Sequence, residues 1–152
     1  MANSKCGLGR TNSKPKFQMK NLLLVLSLTL LSVAHANDNL LDAITHVESG
    51  GDNSAIGDGG LAHGSLQIHK GVVLDVNRVY KTNYTHNDAF DRASAVDLFY
   101  KYLSIYAIER RLGHPPTDED KARIWNGGPN GFRKSATVGY WQKVRRVLEE
   151  GS

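Results

Sequence analysis

One cysteine stands among the 152 residues, and no acidic residue occurs before Asp38. Each shortage excludes something. Cys6 lies ahead of the apolar run at residues 21–36, so it is not placed as an acylation site behind an export signal. Nothing after it can form a disulfide or a thiolate metal site, and the chain beyond the run must fold on its apolar core alone. The missing early acids explain the overall charge of +4 and the pI near 9.2. Lys5, Arg10, Lys14, Lys16 and Lys20 are five of the 19 basic residues; from Asn37 onward the remaining 14 face all 15 acids, a net charge of −1. The body of the chain therefore lacks the clustered Lys/Arg excess that attracts nucleic-acid phosphates, and no nucleic-acid partner is expected.

Long hydrophobic runs are missing too. Residues 21–36 are uncharged and mostly apolar, but fall short of the about 20 apolar residues of a membrane span. Behind their basic flank, and ending in Ala34-His35-Ala36, they read as part of a secretory signal peptide over 1–36, cleaved after Ala36. Met19-Lys20 offers an alternative start, and an uncleaved anchor is the competing reading. The expectation is a secreted or periplasmic protein with no stable membrane insertion. No internal repeat or low-complexity linker divides residues 37–152, which read as one domain.

What is present is helical periodicity punctuated by glycine. Asn37-Asp38-Asn39 supply N-caps, and Leu40, Leu41, Ile44 and Val47 form one helical face that Gly50-Gly51 ends. Glu48 falls in the last turn, where the helix dipole disfavours a negative charge. Residues 51–65 predict turns with a small β-hairpin. Leu66 to His69 reads as extended or as the start of a helix. Val72, Val73, Val76 and Val79-Tyr80 give a second helical stripe, although β-branched residues also suit a strand. Lys81 to Asn87 reads as a loop. Asp88 is the expected N-cap of a long helix over Ala89 to Leu112, with Val96, Phe99, Tyr100, Leu103 and Tyr106-Ala107 inward and Gly113 as its stop. After Pro115-Pro116, Thr117-Asp118-Glu119-Asp120 opens a short helix through about Trp125, followed by a second glycine-rich turn over Asn126 to Gly131. A last helix covers Thr137 to Leu148, with Tyr140, Trp141, Val144, Val147 and Leu148 inward and Lys143, Arg145 and Arg146 solvated. The fold class is mainly α, with the hairpin or turn after the first helix.

Three stretches could converge on chemistry: Glu48, the Gly64–Gln67 turn, and Trp125-Asn126-Gly127-Gly128. A carboxyl group with one apolar side and one open side has its pKa raised and suits acid catalysis. Gln67 and Asn126 offer paired donors and acceptors for sugar hydroxyl and acetamido groups, and glycines let a bulky polymer approach. Trp125 and Tyr140 offer flat faces for sugar rings. His46, His63 and His69 can be drawn as a zinc site with Asp58, but no His-Glu-x-x-His or comparable spacing exists. They read as loop and surface histidines, with His63 a candidate substrate contact; no metal or cofactor is expected. Ser49 and Ser65 lack an elbow motif or triad.

In their order, Glu48-Ser49, Gly64-Ser65-Leu66-Gln67 and Trp125-Asn126-Gly127-Gly128 resemble the three motifs of the soluble lytic transglycosylase and goose-type lysozyme superfamily. Residues Ala122 to Gly131 are also similar to a stretch of the invertebrate-type lysozymes, the destabilase family. The resemblance implies a lysozyme-like α+β fold with Glu48 as the general acid and Ser49, Gly64, Gln67, Trp125, Asn126, Gly127 and Tyr140 around the substrate. In the invertebrate-type pattern a second acid precedes the Gly-x-x-Gln turn, which here falls on Asp58, with Asp52 the other choice. Two carboxylates imply hydrolysis. Glu48 alone implies lytic transglycosylation, with the muramyl 6-hydroxyl as internal nucleophile. The implied substrate is the β-1,4 bond between N-acetylmuramic acid and N-acetylglucosamine in peptidoglycan, with hydrolysis favoured and chitin a second polymer. A non-catalytic glycan-binding module on the same scaffold is the alternative, and a proteinaceous inhibitor and a monomeric state complete the expectations. Invertebrate-type lysozymes are cysteine-rich, which directs the resemblance toward the disulfide-free bacterial scaffold. Trp125 replaces the usual tyrosine of the third motif, and Ser65-Leu66 the usual Leu-Met of the second.

Overall fold

Helix α1 (39–49) carries Leu40, Leu41, Ala43 and Ile44 into the core, and Gly50 and Gly51, at φ 68° and 92°, stop it. The structure is a computed structural model that describes Met1 and residues 39–151. The expected signal peptide, its cleavage site and the alternative start therefore lie outside the described residues. The chain next forms three two-residue strands, β1 (Ile56–Gly57), β2 (Ala62–His63) and β3 (Ile68–His69), antiparallel in the order β1-β2-β3. Their register aligns Gly57, Ala62 and His69 in one row and Ile56, His63 and Ile68 in the next. The expected hairpin thus gains a third strand. Gly64 turns the chain at φ 73°, and a Cβ there would stand 1.9 Å from the Ala89 carbonyl oxygen, so only glycine allows this backbone contact.

Helix α2 (Lys70–Tyr80) follows β3 directly. Val73 and Val76 are buried, but Val79 and Tyr80 are exposed, so the inward stripe is shorter than expected. The long helix predicted over Ala89 to Leu112 is three pieces instead. Asp88 does not cap it: its carboxylate accepts from Thr85 N at 2.6 Å and Thr85 Oγ1 at 2.9 Å, closing a 3-10 turn at His86–Phe90. Asp91 takes the N-cap by accepting from Ser94 N at 2.8 Å, and α3 runs Arg92–Tyr106. Ala107 and Ile108 leave helical geometry before the short α4 (Glu109–Leu112), which Gly113 ends at φ 84° as expected. The buried face of α3 is Ala95, Leu98, Phe99, Tyr102 and Leu103, spaced i, i+3, i+4, i+7, i+8. Tyr100, expected inward, is exposed, and Val96 and Tyr106 are half-buried at the rim.

Thr117 and Asp120 cap α5 (Asp118–Gly127) reciprocally, Thr117 N donating to Asp120 Oδ2 at 3.0 Å and Asp120 N to Thr117 Oγ1 at 3.2 Å. Two 3-10 turns lead into α6 (Val138–Glu150). Val144 is buried, Tyr140, Trp141, Val147 and Leu148 are half-buried against the core, and Lys143, Arg145 and Arg146 are exposed. Ile44, Leu66, Ile68, Val76, Leu98, Phe99, Ile124 and Val144 form the fully buried centre. Burying each such side chain stabilises the fold by about 1.5–3 kcal/mol. The architecture is mainly α with one small antiparallel sheet, the expected fold class.

Candidate active site

A cleft of about 550 Å³ opens between the sheet with the first turns of α2 and the end of α5 with its glycine-rich turn. Glu48, at the last turn of α1, lies in its lining together with Asp58, Gln67, Trp125 and Asn126. Helix α1 thus delivers its terminal carboxyl group to the junction of both walls. Burial, the largest cause, pushes the Glu48 pKa up to about 7; Tyr140 Oη donates to Oε1 at 2.7 Å and opposes the rise, while the negative charge of Asp58 adds to it. Near neutral pH this group is therefore divided between acid and base forms. The Tyr140 hydroxyl, itself buried beside that carboxyl, is held well above the usual phenol range and acts as a neutral donor.

Asp58 sits at the hairpin tip in left-handed geometry, φ 48°, with its side chain 68% exposed. Its Oδ2 lies 2.9 Å from His69 Nε2. Gln67, also left-handed at φ 49°, donates Nε2–H to the Gly64 carbonyl at 2.9 Å. Its Oε1 occupies the place of a side chain on Gly57, where a Cβ would stand 2.0 Å away. Trp125 is only 8% exposed, packed edge-on against Phe99 (4.8 Å between centroids) and Tyr102 (5.8 Å), so it offers the cleft a rim and not an open stacking face. Asn126 is exposed beside Gly128 and Pro129. Two cations pin that turn: Arg111 Nη2 donates to the Pro129 carbonyl at 2.9 Å and to Asn130 Oδ1 at 3.2 Å, and Lys134 Nζ to the Gly127 carbonyl at 2.6 Å.

Four residues expected around the substrate stand behind the cleft lining. Ser49 Oγ donates to the Ser65 carbonyl at 2.9 Å, tying the end of α1 to the Gly64–Gln67 turn. Gly64 packs on Ala89, Gly127 faces Thr137, and Tyr140 backs Glu48. Asp52 lies outside the lining and is engaged with its own turn, accepting from Ser54 N at 2.8 Å and Ser54 Oγ at 2.7 Å. The three histidines go separate ways: His46 is exposed beside the end of α6, His63 stacks on His86 (3.7 Å) and Phe90 (4.6 Å), and His69 meets Asp58. Among the described residues no group of three His, Cys, Asp or Glu is arranged to hold a metal ion. Sequence reasoning did not place His69, Val72, Asp75 or Tyr102 in the cleft. The i, i+3 spacing of Val72 and Asp75 at the start of α2 could have pointed to one shared face.

No protein-family model matches the chain. A lysozyme of Meretrix lusoria is 30% identical over 109 residues, covering 70% of this chain and 86% of that protein. Lysozyme 1 of Crassostrea virginica is 48% identical over 44 residues, 29% of this chain but 23% of the relative. Among solved structures, the Meretrix lusoria lysozyme in complex with PliI of Aeromonas hydrophila matches with a TM-score of 0.61 at 30% identity, over 72% of this chain and 88% of that one. A second structure, of inhibitor-bound lysozyme from Meretrix lusoria, gives the same values. The similarity found lies on the invertebrate-type side of the resemblance, kept here in a chain with no cysteine after Cys6. Sequence and fold together make this chain a member of the invertebrate-type lysozymes, a family of glycoside hydrolases.

Proposed function

We propose that the protein is an exported lysozyme that hydrolyses the β-1,4 bond between N-acetylmuramic acid and N-acetylglucosamine in peptidoglycan, with Glu48 as general acid. The observation that carries this reading is the Glu48 carboxyl group, lining the cleft with its pKa raised to about 7 and Oε1 fixed by Tyr140. With Oε1 accepting from the phenol, Oε2 is left to carry the proton to the glycosidic oxygen. The C–O bond breaks as that proton transfers, and positive charge develops on the sugar ring. Asp58, a carboxylate lining the same cleft, stabilises that charge, and water completes the hydrolysis. Gln67 and Asn126 face the sugar hydroxyl and acetamido groups, while Ser49, Gly64 and Gly127 shape the walls from behind. The Meretrix lusoria lysozyme has been solved in complex with PliI, which supports an inhibitor of that kind as a partner of this chain.

The test is mass spectrometry of the soluble products released from peptidoglycan by the purified protein. Reducing muropeptides are expected. Products lighter by one water, ending in 1,6-anhydromuramic acid, would replace hydrolysis by lytic transglycosylation. Glycan binding without any product would replace catalysis by a binding function.

A further inference from the structure

The row Gly57–Ala62–His69 crosses the three strands from one edge of the sheet to the other. Ala62 in the middle carries only a methyl group and is 1% exposed, and the place of a side chain on Gly57 is taken by Gln67 Oε1. From the turn after β1, Asp58 reaches across the sheet, and its Oδ2 meets His69 Nε2 at 2.9 Å.

On the glycosidase reading above, we propose that His69 is a positioning residue that holds Asp58 as the second carboxylate of the cleft by donating its Nε2–H across the sheet. The need for a holder follows from where Asp58 sits. Its turn, Asp58–Gly60, includes Gly59 and Gly60 at φ 64° and 96° and is carried by strands of two residues each. A ladder that short contributes few backbone bonds. Asp58 itself is in left-handed geometry, φ 48°. The Asp58 side chain, 68% exposed, has open solvent as its alternative. Among the described residues, His69 is the side chain that hydrogen-bonds this carboxylate. Donation requires a proton on Nε2, which both the Nε2–H tautomer and the imidazolium supply. His69 itself lines the cleft, so the pair stands at its edge.

The experiment compares steady-state kinetics of peptidoglycan cleavage for the wild type, Glu48→Gln, His69→Ala, His69→Gln, Asp58→Asn and the double variant Asp58→Asn/His69→Ala. Because His69 is half exposed, removing its ring leaves no buried cavity to unfold the protein. His69→Ala is expected to lower kcat about tenfold with KM nearly unchanged, the signature of an interaction used in the transition state. His69→Gln, which keeps an N–H donor, should recover part of the loss. The double variant should be no slower than Asp58→Asn alone, because both changes remove one device. Wild-type kcat in His69→Ala, or losses that add in the double variant, would overturn the proposal while an inactive Glu48→Gln leaves the glycosidase reading standing. Full activity of Glu48→Gln would instead overturn that reading and this proposal with it. A readout independent of turnover is the ring ¹⁵N spectrum of His69. A proton on Nε2 is expected, and a neutral ring protonated on Nδ1 alone would also overturn the assignment.

Discussion

The two carboxyl groups of the cleft are held in opposite ways. Glu48 ends a helix whose other face is the core, and its brace, Tyr140, comes from the last helix and is half-buried against that core. Asp58 stands on a turn between two-residue strands, and its brace, His69, is itself half exposed. For Glu48 the surroundings set the proton affinity. For Asp58 the His69 contact sets where the carboxylate points. A buried, hydrogen-bonded acid suits proton transfer, and an exposed, steered carboxylate suits stabilising positive charge on a bound sugar.

The comparison can be broken at its strongest point first. Glu48→Gln keeps the shape and the acceptor for Tyr140 but carries no transferable proton, and peptidoglycan cleavage should fall by about 10³-fold or more, measured as released reducing ends. Asp58→Asn should cost about 10²-fold in kcat if hydrolysis uses both carboxylates, and little if transglycosylation needs Glu48 alone. Stability should move the other way. The Glu48 pKa is raised in the fold from 4.5 to about 7, so its charged form penalises the folded state as pH climbs through that window. Glu48→Gln should therefore be the more stable protein at pH 8, by an amount on the order of 2–3 kcal/mol, and lose that advantage at pH 4, as thermal unfolding at the two pH values would show. The smallest effect belongs to the brace. Tyr140→Phe removes the hydrogen bond that lowers the Glu48 pKa, so the alkaline limb of the pH–rate profile, set by loss of the Glu48 proton near pH 7, should move to higher pH with a few-fold loss of kcat.

Much of this arrangement was legible in the chain. Helix α1, the turn after it, α5 with its Thr117 cap, and α6 with Val144 inward all follow from apolar spacing and capping residues, which are local signals. The long middle helix was not legible because Asp88 and Asp91 are both good caps. Which one starts the helix depended on Thr85, three residues before Asp88, closing a box with it first. The hairpin was legible from its turn residues, but its third strand was left between strand and helix, because two-residue strands have no alternation to detect. In the cleft, Glu48, Asp58, Gln67, Trp125 and Asn126 line one cavity. Tyr140 read as a flat platform for sugar, whereas its hydroxyl meets Glu48 across 92 positions of sequence, a pairing that no local pattern contains. His69 and Asp75 share that obscurity, since the cleft they line is closed by residues of α5 about 50 positions away in sequence.

The far wall of the cleft is tied down by Arg111 and Lys134 gripping backbone carbonyls of the Gly127–Asn130 turn. Ties of this kind are indifferent to thiols and reductants, so the wall should keep its shape in a reducing medium. They respond to ionic strength instead, because dissolved ions weaken the hold of an exposed cation on its partner. In brine the grip of these cations on the glycine-rich turn should weaken, while a reductant finds nothing there to act on.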